Sequence, residues 1–117
     1  MIYMIICFHV KYKCLLFVNT KKLEVSAVNI AILGFGTVGS GVYKIIKNAK
    51  RQAQNLHVKH ILIRKNKKPD LPEMTDSIDE ILNDQDVDVV VEVIGGIEPA
   101  HQYIVDALKH HKHVITA

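Results

Sequence analysis

A chain of 117 residues that is 49% hydrophobic can bury one core but not two. Its 15 Lys and Arg against 12 Asp and Glu leave a net charge of +3, spread along the chain apart from one cluster after Ile63, so nucleic acid is not an expected partner. Cys7 and Cys14 have neither metal-type nor redox-type spacing, and a reduced, cytoplasmic setting is the simple expectation.

Residues 1–27 read as a leader unlike the rest. Met1 to Val18 is mostly apolar, yet His9, Lys11 and Lys13 interrupt it well short of the roughly 20 residues that span a bilayer. It lacks the basic start and small-residue cleavage site of a secretory signal, and the Arg- and Ser-rich, acid-poor character of a transit peptide. The expectation is an appendage outside the fold, with a membrane anchor as the alternative. The folded domain is expected over 28–117.

Val28 to Leu33 is a short apolar strand that runs into Gly34-Phe35-Gly36-Thr37-Val38-Gly39, a G-x-G-x-x-G turn with a helical pattern behind it. In such a turn Gly34 permits the sharp exit from the strand. Gly36 lets backbone N–H groups approach a pyrophosphate, and Gly39 lets helix and strand pack closely. The free N–H groups and positive dipole end of the helix then favour phosphate. Val38, Val42, Ile45 and Ala49 supply a predicted apolar stripe for this helix.

A second strand is expected over Val58 to Ile63, and Pro69 and Pro72 break the chain after it. Ser77 and Glu80 have the S-x-x-E spacing of a capping box, predicting a short helix through Ile81 and Leu82. Val87 to Ile94 is nearly all valine, as in a parallel strand buried on both faces. Pro99 suits the first turn of a last helix whose stripe is Ala100, Ile104, Ala107 and Leu108, and Val114 to Thr116 begins one more strand. Alternating strands and helices predict an α/β fold, a Rossmann-like doubly wound parallel sheet. The sheet is expected to be incomplete at the C-terminus, because no helix follows the last strand in these 117 residues.

Ligands of such sheets lie at the carboxyl ends of the strands. Three places qualify: the Gly34 loop, the region of Arg64, and Ile94-Gly95-Gly96. A cofactor with a free ribose 2′-hydroxyl would favour an acid after the second strand. This chain offers Arg64, Lys65, Lys67 and Lys68 instead, with no acid before Asp70. Guanidinium and ammonium groups suit a 2′-phosphate, so NADP is preferred over NAD, the bland alternative being a solvated basic loop. Gly95 and Gly96 read either as a plain turn before the last helix or as space for a ribose or nicotinamide lying across the sheet edge.

Other groupings fail. Asp84, Asp86 and Asp88 imitate the start of a calcium loop, but Val89 and Gly95 stand where the required Gly and Glu belong. His110, His111 and His113 end a helix and enter a strand, so convergence on a metal is not expected. Glu92, inside an apolar strand, reads either as an acid with a shifted pKa or as a paired structural group near the sheet end, and the second is expected.

The stretches ILGFGTVGSGV (Ile32 to Val42), EILNDQDVDVVVEVIGGIEPA (Glu80 to Ala100) and KHVITA (Lys112 to Ala117) together resemble the amino-terminal cofactor domain of homoserine dehydrogenase, of the bacterial monofunctional type. The resemblance covers about Val28 to Ala117. It implies an NAD(P)-dependent oxidoreductase that interconverts homoserine and aspartate semialdehyde on the route to threonine and methionine, oligomeric at full length. By resemblance Phe35, Thr37 and Val38 line the cofactor, Arg64 meets its adenosine end, and Gly95 and Thr116 approach the ribose and nicotinamide. His111 stands where the family has a glycine ending the last helix, a harder place for a side chain. The family's site lysine lies beyond Ala117, as do the substrate and dimerisation domain, so the chain alone is expected to be a fragment without turnover. A stand-alone dinucleotide-binding or sensing module, or an inactive gene remnant, is the alternative.

Overall fold

Strands and helices alternate, except where β3 follows β2 directly, along residues 26–49 and 55–117, the part of the chain that the computed structural model describes. The expected leader, 1–27, lies outside the described residues except for Ser26 and Ala27, as do Cys7 and Cys14. The elements are β1 (Val28–Leu33), α1 (Thr37–Asn48), β2 (Leu56–Leu62), β3 (Met74–Thr75), α2 (Ile78–Asn83), β4 (Val89–Glu92), α3 (Ala100–Lys109) and β5 (His113–Thr116). The strands form one parallel sheet in the order β3-β2-β1-β4-β5. Strand order reverses at β1, so a crevice opens between β1 and β4 at their carboxyl ends.

Alternation along the strands divides the core between the two faces of the sheet. Ala31, Leu33, Leu62 and Val90 face α2 and α3, packing with Ile81, Leu82 and Ala107. Ile30, Ile32, Ile61 and Val91 face the other way, where Val42, Tyr43 and Ile46 of α1 cover them. β4 is therefore apolar on both sides because both sides are covered, as its valine run predicts, although the strand itself is shorter than Val87 to Ile94. β2 begins earlier than expected, at Leu56, and the register slips between Val58 and His60, leaving Lys59 as a bulged residue. That bulge sends Lys59 and His60 to the same carboxylate, Asp84.

Three local expectations are corrected. The buried side of α1 is Gly39, Val42, Tyr43 and Ile46, while Val38 and Ile45 of the predicted stripe are exposed. Gly39 sets that rotation. A Cβ on it would overlap the carbonyl oxygen of Gly34, so this glycine has to face the strand, and the apolar face follows at i+3, i+4 and i+7. In α3, Tyr103 joins Ala100 and Ala107 against the sheet, and Leu108 turns outward. The Ser77–Glu80 capping box does not form. Thr75 Oγ1 accepts from the Ser77 N–H at 3.1 Å and donates to Glu80 Oε2 at 2.6 Å. Thr75 belongs to β3, a two-residue strand that the sequence pattern does not announce.

The end of α3 accommodates its missing glycine. His111 takes φ +58°, its N–H donates to the Leu108 carbonyl, and the Lys112 N–H donates to the Ala107 carbonyl, each at 3.0 Å. This is the Schellman pattern with histidine in the left-handed place that glycine usually fills.

Candidate functional site

The turn leaving β1 is built around two glycines that touch protein and one that does not. Gly34 has φ +99°, and a Cβ there would meet the Val93 carbonyl oxygen at 3.0 Å. Its N–H donates to the Leu62 carbonyl at 3.0 Å, tying the turn to β2. Gly39 abuts Gly34, which presses the start of α1 against the turn. Gly36 is different: a Cβ built on it meets nothing within 4 Å. Gly36 is also the N-cap of α1, no side chain caps that end, and no acid stands in the first turn. The first N–H groups of the helix thus keep their capacity for an anion.

The turn opens on a cavity of about 520 Å³ at the carboxyl end of the sheet, within the range of small-molecule and cofactor sites. Gly34, Phe35 and Gly36 form its floor, Arg64, Lys65 and Lys67 its wall beyond β2, and Ile94 and Gly95 its wall beyond β4. Phe35 is held by an edge-on contact with Tyr43, ring centroids 5.8 Å apart. Among the described residues, the side chains of Arg64, Lys65 and Lys67 make no hydrogen bond or ion pair with protein. Gly95 and Gly96 have φ +79° and +81° with nothing within 4 Å of a Cβ at either, so both are turn glycines beside open space.

Thr37, Val38, Gly39, Gly96 and Thr116 do not line this cavity. Gly39 works by packing, and Val38 is an exposed residue on α1. The hydroxyl of Thr116 donates to Glu92 Oε2 at 2.6 Å, so it is turned toward β4. Glu92 is paired and only 3% exposed. Residues that the sequence did not single out for the site also line the cavity: Asp76, Glu98, Pro99 and Tyr103. Asp76 follows β3, and only the pairing of β3 with β2 carries it to the Arg64 side. Glu98 and Pro99 belong to the IEPA stretch, where the signal lay in the motif and not in any periodicity.

The acidic and histidine groupings lie elsewhere. Lys59 Nζ is 2.8 Å from Asp84 Oδ2 and 3.1 Å from Asp86 Oδ2, and His60 Nε2 is 2.8 Å from Asp84 Oδ2. Burial alone would raise Asp84, but hydrogen bonds from Lys59, His60 and the Asp86 N–H outweigh it and hold the carboxyl well below the usual carboxylate range. Asp88 accepts from the Asn29 N–H at 2.9 Å. No group of three or more His, Cys, Asp or Glu side chains suited to a metal occurs among the described residues. No helix among them is long and apolar enough to cross a membrane.

A parallel sheet in this order, with a glycine turn and a cavity at its reversal point, defines a Rossmann-like α/β domain. The sequence profile of the family described as "Homoserine dehydrogenase, NAD binding domain" matches residues 34–117, and the chain belongs to that family. Homoserine dehydrogenase of Bacillus subtilis is 43% identical over 101 residues, which cover 78% of this chain and 23% of the relative. The Corynebacterium glutamicum enzyme is 42% identical over 108 residues, covering 85% and 24%. A crystal structure of Staphylococcus aureus homoserine dehydrogenase at pH8.5 superposes with a TM-score of 0.70 at 47% identity, covering 80% of this chain and 26% of that one. The Thiobacillus denitrificans homoserine dehydrogenase gives a TM-score of 0.67 at 31% identity, covering 78% and 23%. This chain therefore spans about a quarter of the length of these relatives.

Proposed function

We propose that the cavity binds a nicotinamide dinucleotide, with NADP preferred over NAD, and that the chain is the cofactor-binding part of a homoserine dehydrogenase. The pyrophosphate would lie over Gly36 and the first N–H groups of α1, where a side chain is absent and the helix dipole favours negative charge. The adenosine half would extend toward Arg64 and Lys65, and the nicotinamide half toward Ile94, Gly95 and β5. A nicotinamide bound there would take hydride from homoserine to give aspartate semialdehyde, or return it in the reverse direction, the reaction that the family name implies. For this chain the proposal is cofactor binding; substrate chemistry is proposed only together with a substrate domain.

One observation carries the reading. A single cavity joins the unfilled glycine turn to three cations that have no protein partner among the described residues. An anionic ligand with phosphate at both places satisfies both. NAD is the second reading, and Asp76 favours it: an acid on the Arg64 side of the cavity could accept from a ribose hydroxyl. Fluorescence titration with NADPH and NADH separates the two. Tighter binding of NADPH is expected, with Arg64→Ala losing roughly 1–3 kcal/mol of it if the guanidinium meets the phosphate. Equal affinities, untouched by that substitution, would sink the NADP preference.

A further inference from the structure

Glu92 is an ionisable side chain in the middle of an apolar strand end, 3% exposed, and it is not among the residues that line the cavity. Its two carboxylate oxygens go to two different segments. Oε1 accepts from the backbone N–H of Ile94 at 2.7 Å, and Oε2 accepts from the hydroxyl of Thr116 at 2.6 Å. The backbone repeats the second link, since the Ala117 N–H donates to the Glu92 carbonyl at 3.2 Å. Glu92 and Thr116 are register partners in β4 and β5, and they share the face on which Val90 and Val114 pack.

Ile94 lies two residues past the end of β4 and lines the cavity together with Val93. The next residues, Gly95 and Gly96, have positive φ and no neighbour within 4 Å of a Cβ, and Ile97 is 82% exposed. Little in that loop restrains itself by packing. The Ile94 N–H is therefore the last hydrogen-bonded backbone N–H after β4 before the open turn, and its acceptor is a buried carboxylate. A charged acceptor makes the stronger kind of hydrogen bond, and its burial removes competing water.

We propose that Glu92 is a positioning residue of the cofactor site: it clamps the Ile94 turn to the end of β5 and so fixes the wall that meets the nicotinamide half. The inference rests on the reading of the cavity as a dinucleotide site. It concerns one half of that site only, because the Arg64 side is tied to β2 and β3 and not to Glu92.

The two halves can be tested apart. The full chain and its Glu92→Ala, Glu92→Gln and Thr116→Val variants are titrated with NADPH and with adenosine-2′,5′-bisphosphate, which ends before the nicotinamide ribose. Glu92→Ala is expected to weaken NADPH about tenfold or more and to leave the half-cofactor within about twofold. Glu92→Gln should retain most of the NADPH affinity. Its amide oxygen can still accept from Ile94, while the Thr116 hydroxyl can turn to accept from the amide NH₂. Thr116→Val removes one of the two links at an exposed position and should weaken NADPH by an intermediate factor, which keeps the test open if Glu92→Ala does not fold. Wild-type NADPH affinity in Thr116→Val and Glu92→Ala would overturn the proposal. So would equal weakening of both ligands, the signature of a merely structural role. A wild-type chain that binds neither ligand would fail at the cavity reading itself, and would be recognised by the absence of any reference affinity.

Discussion

The two ends of the sheet use charge in opposite ways. At the amino end, charged groups find partners within the protein: Asp84 accepts from Lys59 and lies against His60, Asp88 accepts from the Asn29 N–H, and Lys112 donates to the carbonyls of Asp84 and Val87 at 2.6 and 3.2 Å. Burial pushes the Lys112 ammonium below the ordinary lysine range, yet each of those carbonyls gives it a partner. At the carboxyl end, Arg64, Lys65 and Lys67 stand around a cavity with no protein partner among the described residues. Charge paired within the protein closes a structure, and a cluster of unpaired cations beside a cavity invites an anionic ligand, so the same residue types mean scaffold at one end and site at the other.

The glycine turn offers the largest effect with which to break that contrast. Gly39→Ala would drive a Cβ into the Gly34 carbonyl, and overpacking against backbone should cost about 3 kcal/mol or more. Gly36→Ala adds the same methyl in open space, so its melting temperature should stay within about 4 °C of wild type. If the turn holds phosphate, cofactor affinity should nonetheless fall about tenfold or more in Gly36→Ala, which titration beside a thermal melt would show. Equal stability losses in the two variants would contradict the division of labour between packed and open glycines.

A smaller effect is expected at the amino end. Asp84 is held ionised in the folded state, so its contribution is fully present above the ordinary carboxylate range and is lost as pH falls through that range toward its depressed value. Glu73 has the same sign: burial would raise it, but Lys47 at 3.0 Å holds it down. Thermal melts between about pH 6 and pH 3 should therefore show falling stability, and Asp84→Asn should flatten the fall while costing about 2 kcal/mol at neutral pH. A variant whose pH profile overlays wild type would show that the cluster does not hold the scaffold.

The glycine motif, the valine strand and the doubly wound order were legible because each rests on a local rule, a period or a fixed spacing. What the sequence hid depends on contacts between distant residues. The rotation of α1 follows from Gly39 touching Gly34, and a glycine does not register in a hydrophobic stripe. β3 is two residues of sheet made only by pairing with β2, and through it Asp76 reaches the cavity. The hydroxyl of Thr116, a residue expected at the nicotinamide, donates to Glu92, a contact between two strands that no spacing in the sequence announces. Of the residues in the stretches that carry the family resemblance, Phe35 and Gly95 line the cavity, whereas Gly39 packs against the turn.

Backbone amide NMR of the full chain during titration with NADPH tests the central claim most directly. The account expects saturable shifts at Gly34 to Gly36, at Arg64 and Lys65 and at Ile94 and Gly95, with those of Lys59, Asp84 and Lys112 left unmoved. Shifts concentrated at the Asp84 end, or none at all in a folded sample, would contradict it.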